Sequence, residues 1–74
     1  MPEDTRSLQR LGLNLLRLRE GLRLSQEQLA EKAELDRTYI SGIERGVRNP
    51  SLLSLIRLAR AVGVSLNDLT KGVE

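Results

Sequence analysis

Apolar residues recur every three or four positions through the first third of the chain. The repeat places one row of leucines on a single face of an α-helix: Leu8, Leu11, Leu15, Leu18 and Leu22. The pattern predicts a first helix over residues 5–22 with this face buried. Residues 1–4 precede the pattern and are predicted to form a frayed end.

Two short helices are predicted next, because each apolar segment follows a capping residue. Ser25 is followed three residues later by Gln28, the pattern of a capping box, which predicts a second helix over residues 26–33. Asp36 is a favourable N-cap and Gly46 suits the position just beyond a C-terminus, so a third helix is predicted over residues 37–45. A three-residue turn between two short helices is typical of a helix-turn-helix.

The last third of the chain predicts two more helices. Pro50 marks a break and Ser51 caps a fourth helix over residues 52–62, which Gly63 ends. The predicted buried face of this helix consists of Leu52, Leu55, Ile56 and Ala59. Ser65 caps a short fifth helix over residues 66–71.

Five helices in 74 residues predict a single all-α domain over residues 1–74. The chain has no cysteine and no histidine. Disulfides and thiolate zinc sites are therefore excluded, and the usual general base is missing. We expect no enzyme, and we assign no catalytic residue, metal, cofactor or small-molecule ligand.

The overall charge does not identify a partner by itself. The net charge is only +2 although 30 % of the residues are charged, so the positions of the charges matter more than their sum. No apolar run approaches the roughly 18 residues that a membrane span needs, and no signal-peptide core is found. We expect a cytoplasmic protein without a membrane partner.

The third helix has two different faces. Ile40 and Ile43 define the buried side, and a polar stripe lies opposite, formed by Thr38, Ser41, Gly42 and Arg45. Glycine in a helix costs about 0.5–1 kcal/mol relative to alanine. The missing side chain would let the helix backbone approach a partner, so Gly42 is predicted to be a contact residue.

This stripe suits the major groove of DNA. Arg37 lies in the first helical turn and can donate two hydrogen bonds to guanine, while Thr38 and Ser41 can bond base edges or phosphate. Arginine and amide side chains near the end of the helix suit phosphate contact: Arg45, Arg48 and Asn49. A polar outer face is also what any solvated helix presents.

Two residues beside the stripe have other expected roles. Tyr39 lies on its flank, where its hydroxyl can reach a phosphate or its ring can cover the edge of the core. Glu44 lies nearer the core boundary and is expected to pair with Arg19 of the first helix. Such a pair would be partly buried, and loss of one partner would leave the other uncompensated.

The motifs SQEQLA, YISGIERG and NPSL, together with LRLRE in the first helix, resemble the phage-repressor-like (XRE-type) helix-turn-helix family. The resemblance covers roughly Leu11 to Leu69, and the segment LDRTYISGIERGVRN resembles the controller proteins of restriction–modification systems more particularly. It implies a lambda-repressor-like fold of five helices that binds double-stranded DNA as a symmetric homodimer.

The resemblance also implies roles for single residues. Gln26 would touch the DNA backbone, Arg37 and Thr38 would approach bases, and four residues would lie near DNA: Tyr39, Ser41, Arg48 and Asn49. The Arg–Glu bridge of the family falls on Arg19 and Glu44. The family often has glycine where this chain has Arg23, and glycine or asparagine where it has Glu34. If φ is positive there, each residue costs about 1 kcal/mol.

A module of this size buries too little DNA surface for strong specific binding, so a homodimer is expected. Residues 64–74 carry more apolar side chains than one short helix easily buries: Val64, Leu66, Leu69 and Val73. They predict an isologous interface through the fifth helix and the adjacent end of the fourth. The alternative is that they close the core of the monomer.

The expected function is sequence-specific transcriptional regulation from a pseudo-palindromic operator by a restriction–modification controller, with blocking or recruitment of RNA polymerase. Alternatives are a phage-type repressor, an antitoxin, and a protein-interaction module that no longer binds DNA. The antitoxin is disfavoured because no toxin-binding extension is recognised. The interaction module is disfavoured by the positive charges of Arg37, Arg45 and Arg48.

Overall fold

A computed structural model describes the backbone of residues 2–74 and the side chains of residues 5–74. Five α-helices follow one another: α1 (Pro2–Gly21), α2 (Gln26–Ala33), α3 (Arg37–Glu44), α4 (Leu52–Val62) and α5 (Leu66–Leu69). The all-α prediction is confirmed. Helix α1 begins at Pro2 instead of residue 5, so the frayed end predicted for residues 1–4 is wrong for residues 2–4, which are helical. Residue 1 lies outside the described residues.

The predicted helix boundaries are correct where a cap determines them. Ser25 accepts a hydrogen bond from the Gln28 N–H, and the Gln28 side chain accepts one from the Ser25 N–H, so the capping box is complete. Asp36, Ser51 and Ser65 cap the next three helices. Helices α3 and α5 are one and two residues shorter than predicted, because the chain continues as a turn after Glu44 and after Leu69.

The core joins side chains from all five helices. Its buried members are Leu11, Leu15, Leu29, Ala30, Ala33, Ile40, Ile43, Leu58, Ala59, Val62 and Leu69. Two predicted core residues are wrong: Leu22 is 50 % exposed and Leu52 is 61 % exposed. Leu22 follows the end of α1, and Leu52 lies in the first turn of α4, whose buried residues lie further along the helix.

Helix α3 crosses α1 at very short range. A Cβ atom at Gly12 would lie 2.3 Å from the Ile43 carbonyl oxygen and 2.6 Å from the Glu44 carbonyl oxygen. Only a glycine fits between these backbones without moving α3. The close crossing therefore fixes the position of α3 relative to α1.

The last residues of the chain are tied to α1. The Asn14 side-chain amide donates hydrogen bonds to the carbonyl oxygens of Leu69 and Lys71, each at 2.9 Å. The Ser7 hydroxyl donates to the carbonyl oxygen of Glu74. Helix α5 and the residues after it thus belong to the packed monomer.

The two turns around α2 keep the positive φ on which the expected strain depends. Arg23 has φ = 59° and Glu34 has φ = 57°, and the Glu34 N–H closes the C-terminus of α2. The side chains of non-glycine residues crowd the backbone in this conformation, so strain is stored at both positions.

Candidate nucleic-acid interface

The N-terminal turn of α3 presents its side chains to solvent. Arg37 and Thr38 are exposed. Asp36 holds this turn through a single carboxylate oxygen, which accepts the Thr38 N–H at 2.8 Å and the Thr38 hydroxyl at 2.5 Å. The hydrogen bond from the Thr38 hydroxyl, followed by that from the Thr38 N–H, lowers the pKa of Asp36, and the positive charge of Arg48 acts in the same direction. Backbone N–H groups at such a helix start favour anions.

The first turns of α2 and α3 meet in one open depression of about 590 Å³. Gln26 and Arg37 both line it, with Arg19, Ser25, Glu27 and Gln28 completing the wall. The structure therefore brings to one surface the first residues of α2 and α3, which were both predicted to contact DNA. A concave surface with an arginine and helix N-termini suits a phosphate backbone.

The predicted pair of Arg19 and Glu44 is confirmed and joins three helices. Arg19 Nε donates to Glu44 Oε2 at 2.7 Å, and Arg19 Nη2 donates to Glu44 Oε1 at 3.0 Å. Only 12 % of the Arg19 side chain and 4 % of the Glu44 side chain are exposed. The hydrogen bond to Glu44 raises the pKa of Arg19. Gln26 Nε2 donates to Glu44 Oε1 at 2.9 Å, so the same carboxylate holds Gln26 in place.

Tyr39 is half-buried and packs against the core. Its hydroxyl accepts a hydrogen bond from the Ser51 N–H at 3.2 Å, which connects α3 to the start of α4. The guanidinium carbon of Arg48 lies 5.5 Å from the centre of the Tyr39 ring, within the range of a cation–π contact. The structure thus places Tyr39 at the edge of the core, and its hydroxyl can still donate one hydrogen bond to a phosphate.

The predicted exposure of Gly42 is wrong. Gly42 is buried, and a Cβ atom there would lie 2.3 Å from Arg48 Cγ. The reason is that the chain after α3 folds back over this residue. The N–H groups of Val47 and Arg48 both donate to the Gly42 carbonyl oxygen, at 3.0 and 3.2 Å. Gly42 therefore admits the chain's own loop rather than a DNA edge.

The remaining predicted contact residues lie just before or after Gly42 in the sequence. Ser41 is half-buried, and Arg45, Arg48 and Asn49 are exposed. The N–H of Arg45 caps the end of α3 by donating to the Ser41 carbonyl oxygen at 3.1 Å. Contact of these side chains with DNA stays a prediction.

The prediction that Leu69 of the fifth helix lies in a dimer surface is wrong. Leu69 is fully buried within the monomer, and Val64 and Val73 pack against the same core. Leu66 is half-buried. The hydrogen bonds from Asn14 hold this end of the chain on α1, so its apolar side chains are used within the monomer.

The sequence reasoning missed an apolar surface at the start of α4. Leu52 and Leu53 are 61 % and 71 % exposed, and Val47 in the preceding loop is 62 % exposed. The signal was the run Leu52, Leu53, Leu55 and Ile56, which is wider than one buried stripe of a helix. We call Val47, Leu52 and Leu53 the leucine patch.

Among residues 5–74, no group of three or more acidic, histidine or cysteine side chains could hold a metal ion. Within the described helices, none combines the length and hydrophobicity that crossing a bilayer requires.

The fold and this surface define a helix-turn-helix DNA-binding domain. Residues 15–69 match the helix-turn-helix family HTH_3, and this chain belongs to that family of DNA-binding regulators, which are not enzymes. The chain is 44 % identical over 66 residues to the control protein C.MunI from Mycoplasma, which covers 88 % of this chain and 89 % of that protein.

Two further comparisons show similarity to a restriction–modification controller and to a phage repressor. The crystal structure of the restriction–modification controller protein C.AhdI from Aeromonas hydrophila superposes with a TM-score of 0.82 at 44 % identity, over 84 % of this chain and 94 % of that one. The immunity repressor protein of Bacillus phage phi105 is 42 % identical over 59 residues, which is 80 % of this chain but 41 % of the repressor.

Proposed function

We propose that this protein is a control protein of a restriction–modification system, which regulates transcription by binding a pseudo-palindromic operator as a homodimer. The observation that carries the proposal is the exposed N-terminal turn of α3, where Arg37 and Thr38 project beside the depression that Gln26 lines. The agreement with C.MunI and C.AhdI over almost their whole lengths supports the controller role. Such a regulator would act in the cytoplasm.

Arg37 is the principal candidate for base recognition. A guanidinium at the start of a recognition helix can donate two hydrogen bonds to guanine O6 and N7 in the major groove. Thr38 donates its hydroxyl proton to Asp36, so towards DNA it offers an acceptor oxygen and a methyl group. That arrangement suits a donor on a base edge or the methyl group of thymine.

We propose that the leucine patch is the dimer surface and packs against a second copy of the chain. Val47 directly precedes Arg48 and Leu52 follows it by four residues, so a two-fold axis at the patch would lie close to the proposed DNA-contacting residues of both protomers. Recognition helices of such dimers lie about 34 Å apart, one turn of DNA. The protomer measures 31 Å in its longest dimension, which is compatible with that spacing.

The test is selection of bound duplexes from a random library, followed by titration of the selected duplex. We expect a two-fold symmetric sequence with half-sites about 10 bp apart, because each protomer would use the same side chains. Affinity should fall steeply as salt rises, since cations are released from the phosphates. Failure to bind any duplex at low salt would instead favour the protein-interaction module.

A phage-type repressor is the second candidate, supported by the identity to the phi105 immunity repressor. Transcription in vitro from the promoters that carry the selected operator separates the two roles. A controller would act on the promoter of restriction–modification genes, by blocking or recruiting RNA polymerase, whereas a phage repressor would act on phage promoters.

A further inference from the structure

The side chain of Arg48 fills the space that a side chain at Gly42 would occupy. The three atoms nearest to an added Cβ at Gly42 are Cγ, Cβ and Cδ of Arg48, at 2.3, 3.4 and 3.4 Å. The contact involves the stem of the arginine close to its own backbone. A small rotation of its far end would not relieve the overlap, so any side chain at position 42 must displace Arg48.

Three contacts hold Arg48 in this position. Its N–H donates to the Gly42 carbonyl oxygen at 3.2 Å, its stem lies over Gly42, and its guanidinium lies 5.5 Å from the centre of the Tyr39 ring. Tyr39 is in turn fixed by the Ser51 N–H. The positions of Gly42, Tyr39 and Arg48 are therefore coupled.

We propose that Gly42 is a positioning residue: the space beside it, which lacks a side chain, holds the stem of Arg48 and orients its guanidinium for phosphate contact. We call this space the seat. This inference rests on the proposed DNA-binding function. A guanidinium that lies over a ring uses its flat face, and its N–H donors lie around its edge, where a phosphate can accept them. Gly42 itself does not touch DNA.

The physical reason is the entropy of a long side chain. Immobilising an arginine on binding lowers affinity, and a side chain that is already ordered in the free protein loses less freedom. The seat would thus increase affinity without adding a contact. It also explains why a helix-destabilising residue occupies the middle of α3.

The test is a double-mutant cycle of Gly42→Ala and Arg48→Ala on the selected operator duplex. By itself, Gly42→Ala should weaken binding roughly three- to tenfold, the effect of one unordered side chain. In the Arg48→Ala background it should have no further effect. Gly21→Ala is the matched control, since Gly21 is also helical but no atom outside its own helix backbone lies within 4 Å of an added Cβ. The Gly21→Ala variant should bind the duplex with the affinity of the wild type.

Equal losses in both backgrounds would overturn the proposal, because they would show that Gly42 acts without Arg48. An unchanged affinity of Gly42→Ala with the wild-type arginine would also overturn it. Circular dichroism must show that each variant is folded.

Thermal unfolding separates failure of this inference from failure of the proposed function. Without any DNA, Gly42→Ala should raise the melting temperature in the Arg48→Ala background, because alanine favours the helix once the seat is empty. With Arg48 present that gain should be absent. A wild-type protein that binds no duplex would refute DNA binding, and the melting cycle would still decide whether the seat exists.

Discussion

Glu44 accepts two N–H groups of Arg19, and this pair connects the recognition helix α3 to α1. Both side chains are largely removed from water, and the Glu44 carboxylate also holds Gln26. The Glu44 carboxylate therefore stabilises the fold through Arg19 and also positions Gln26 in the proposed DNA surface.

Arg19→Ala should lower the free energy of unfolding by about 3 kcal/mol, because Glu44 would be left buried without its partner. Urea unfolding at pH 7 measures this change. Arg17→Ala is the control, since Arg17 is an exposed arginine of the same helix and should cost less than about 0.5 kcal/mol. Equal effects of the two substitutions would show that the pair contributes nothing specific.

Asp36 should make the free energy of unfolding depend on pH in the acidic range. Its hydrogen bonds from Thr38 lower its pKa in the folded state, so its carboxylate stabilises the fold above the unfolded pKa, and this contribution is lost as pH falls through the folded pKa. Asp36→Asn keeps a capping side chain but does not titrate. The wild type should therefore be the more stable protein at pH 7, and its advantage should begin to shrink near the unfolded pKa of about 4 and go on falling at lower pH, as Asp36 is protonated in the folded state. Unfolding curves of both proteins from pH 7 to pH 2 test this, and a constant difference would contradict it.

Glu34→Gly should stabilise the protein by about 0.5–1 kcal/mol, because glycine adopts the left-handed conformation without strain. Arg23→Gly should act in the same direction, since Arg23 has a similar φ. Glu34→Ala provides the control: it removes the charge but keeps Cβ, so no such gain is expected. Melting temperatures decide the matter, and a loss of stability with glycine would remove strain as an explanation.

Arg37→Ala should cost roughly 1–3 kcal/mol of operator binding and relax the preference at one base pair in each half-site. Anisotropy titrations with the operator and with single-base variants measure both effects. Arg60→Ala removes the same charge at the last turn of α4, beside the C-terminal end of α2, and should change neither. Equal losses on operator and random DNA would show that Arg37 contacts only phosphate.

Leu53→Glu should dissociate the proposed dimer, because two carboxylates would face each other across the two-fold axis. Sedimentation should then show a species of 8.3 kDa where the wild type shows twice that mass. Leu22→Glu is the matched control, since Leu22 is 50 % exposed and lies outside the leucine patch. A dimer that survives Leu53→Glu would place the interface elsewhere.

Much of the fold could be predicted from local signals. The caps Ser25, Asp36 and Ser51 determine where helices begin, because each supplies an acceptor to backbone N–H groups only two or three residues away. The left-handed turns at Arg23 and Glu34 and the pair of Arg19 with Glu44 were also predictable, since the family pattern marks those positions.

The surface was harder to predict, because contacts between distant residues determine it. A helical wheel places Gly42 outward, but the loop after α3 folds back and covers it with Arg48. Leu69 was assigned to a dimer, but Asn14, 55 residues earlier in the chain, fixes it in the monomer. Local hydrogen bonding and periodicity thus determined the helices, their caps and the exposed polar start of α3. Only tertiary packing decided which apolar side chains stayed exposed, because burial depends on what the rest of the chain places against each face.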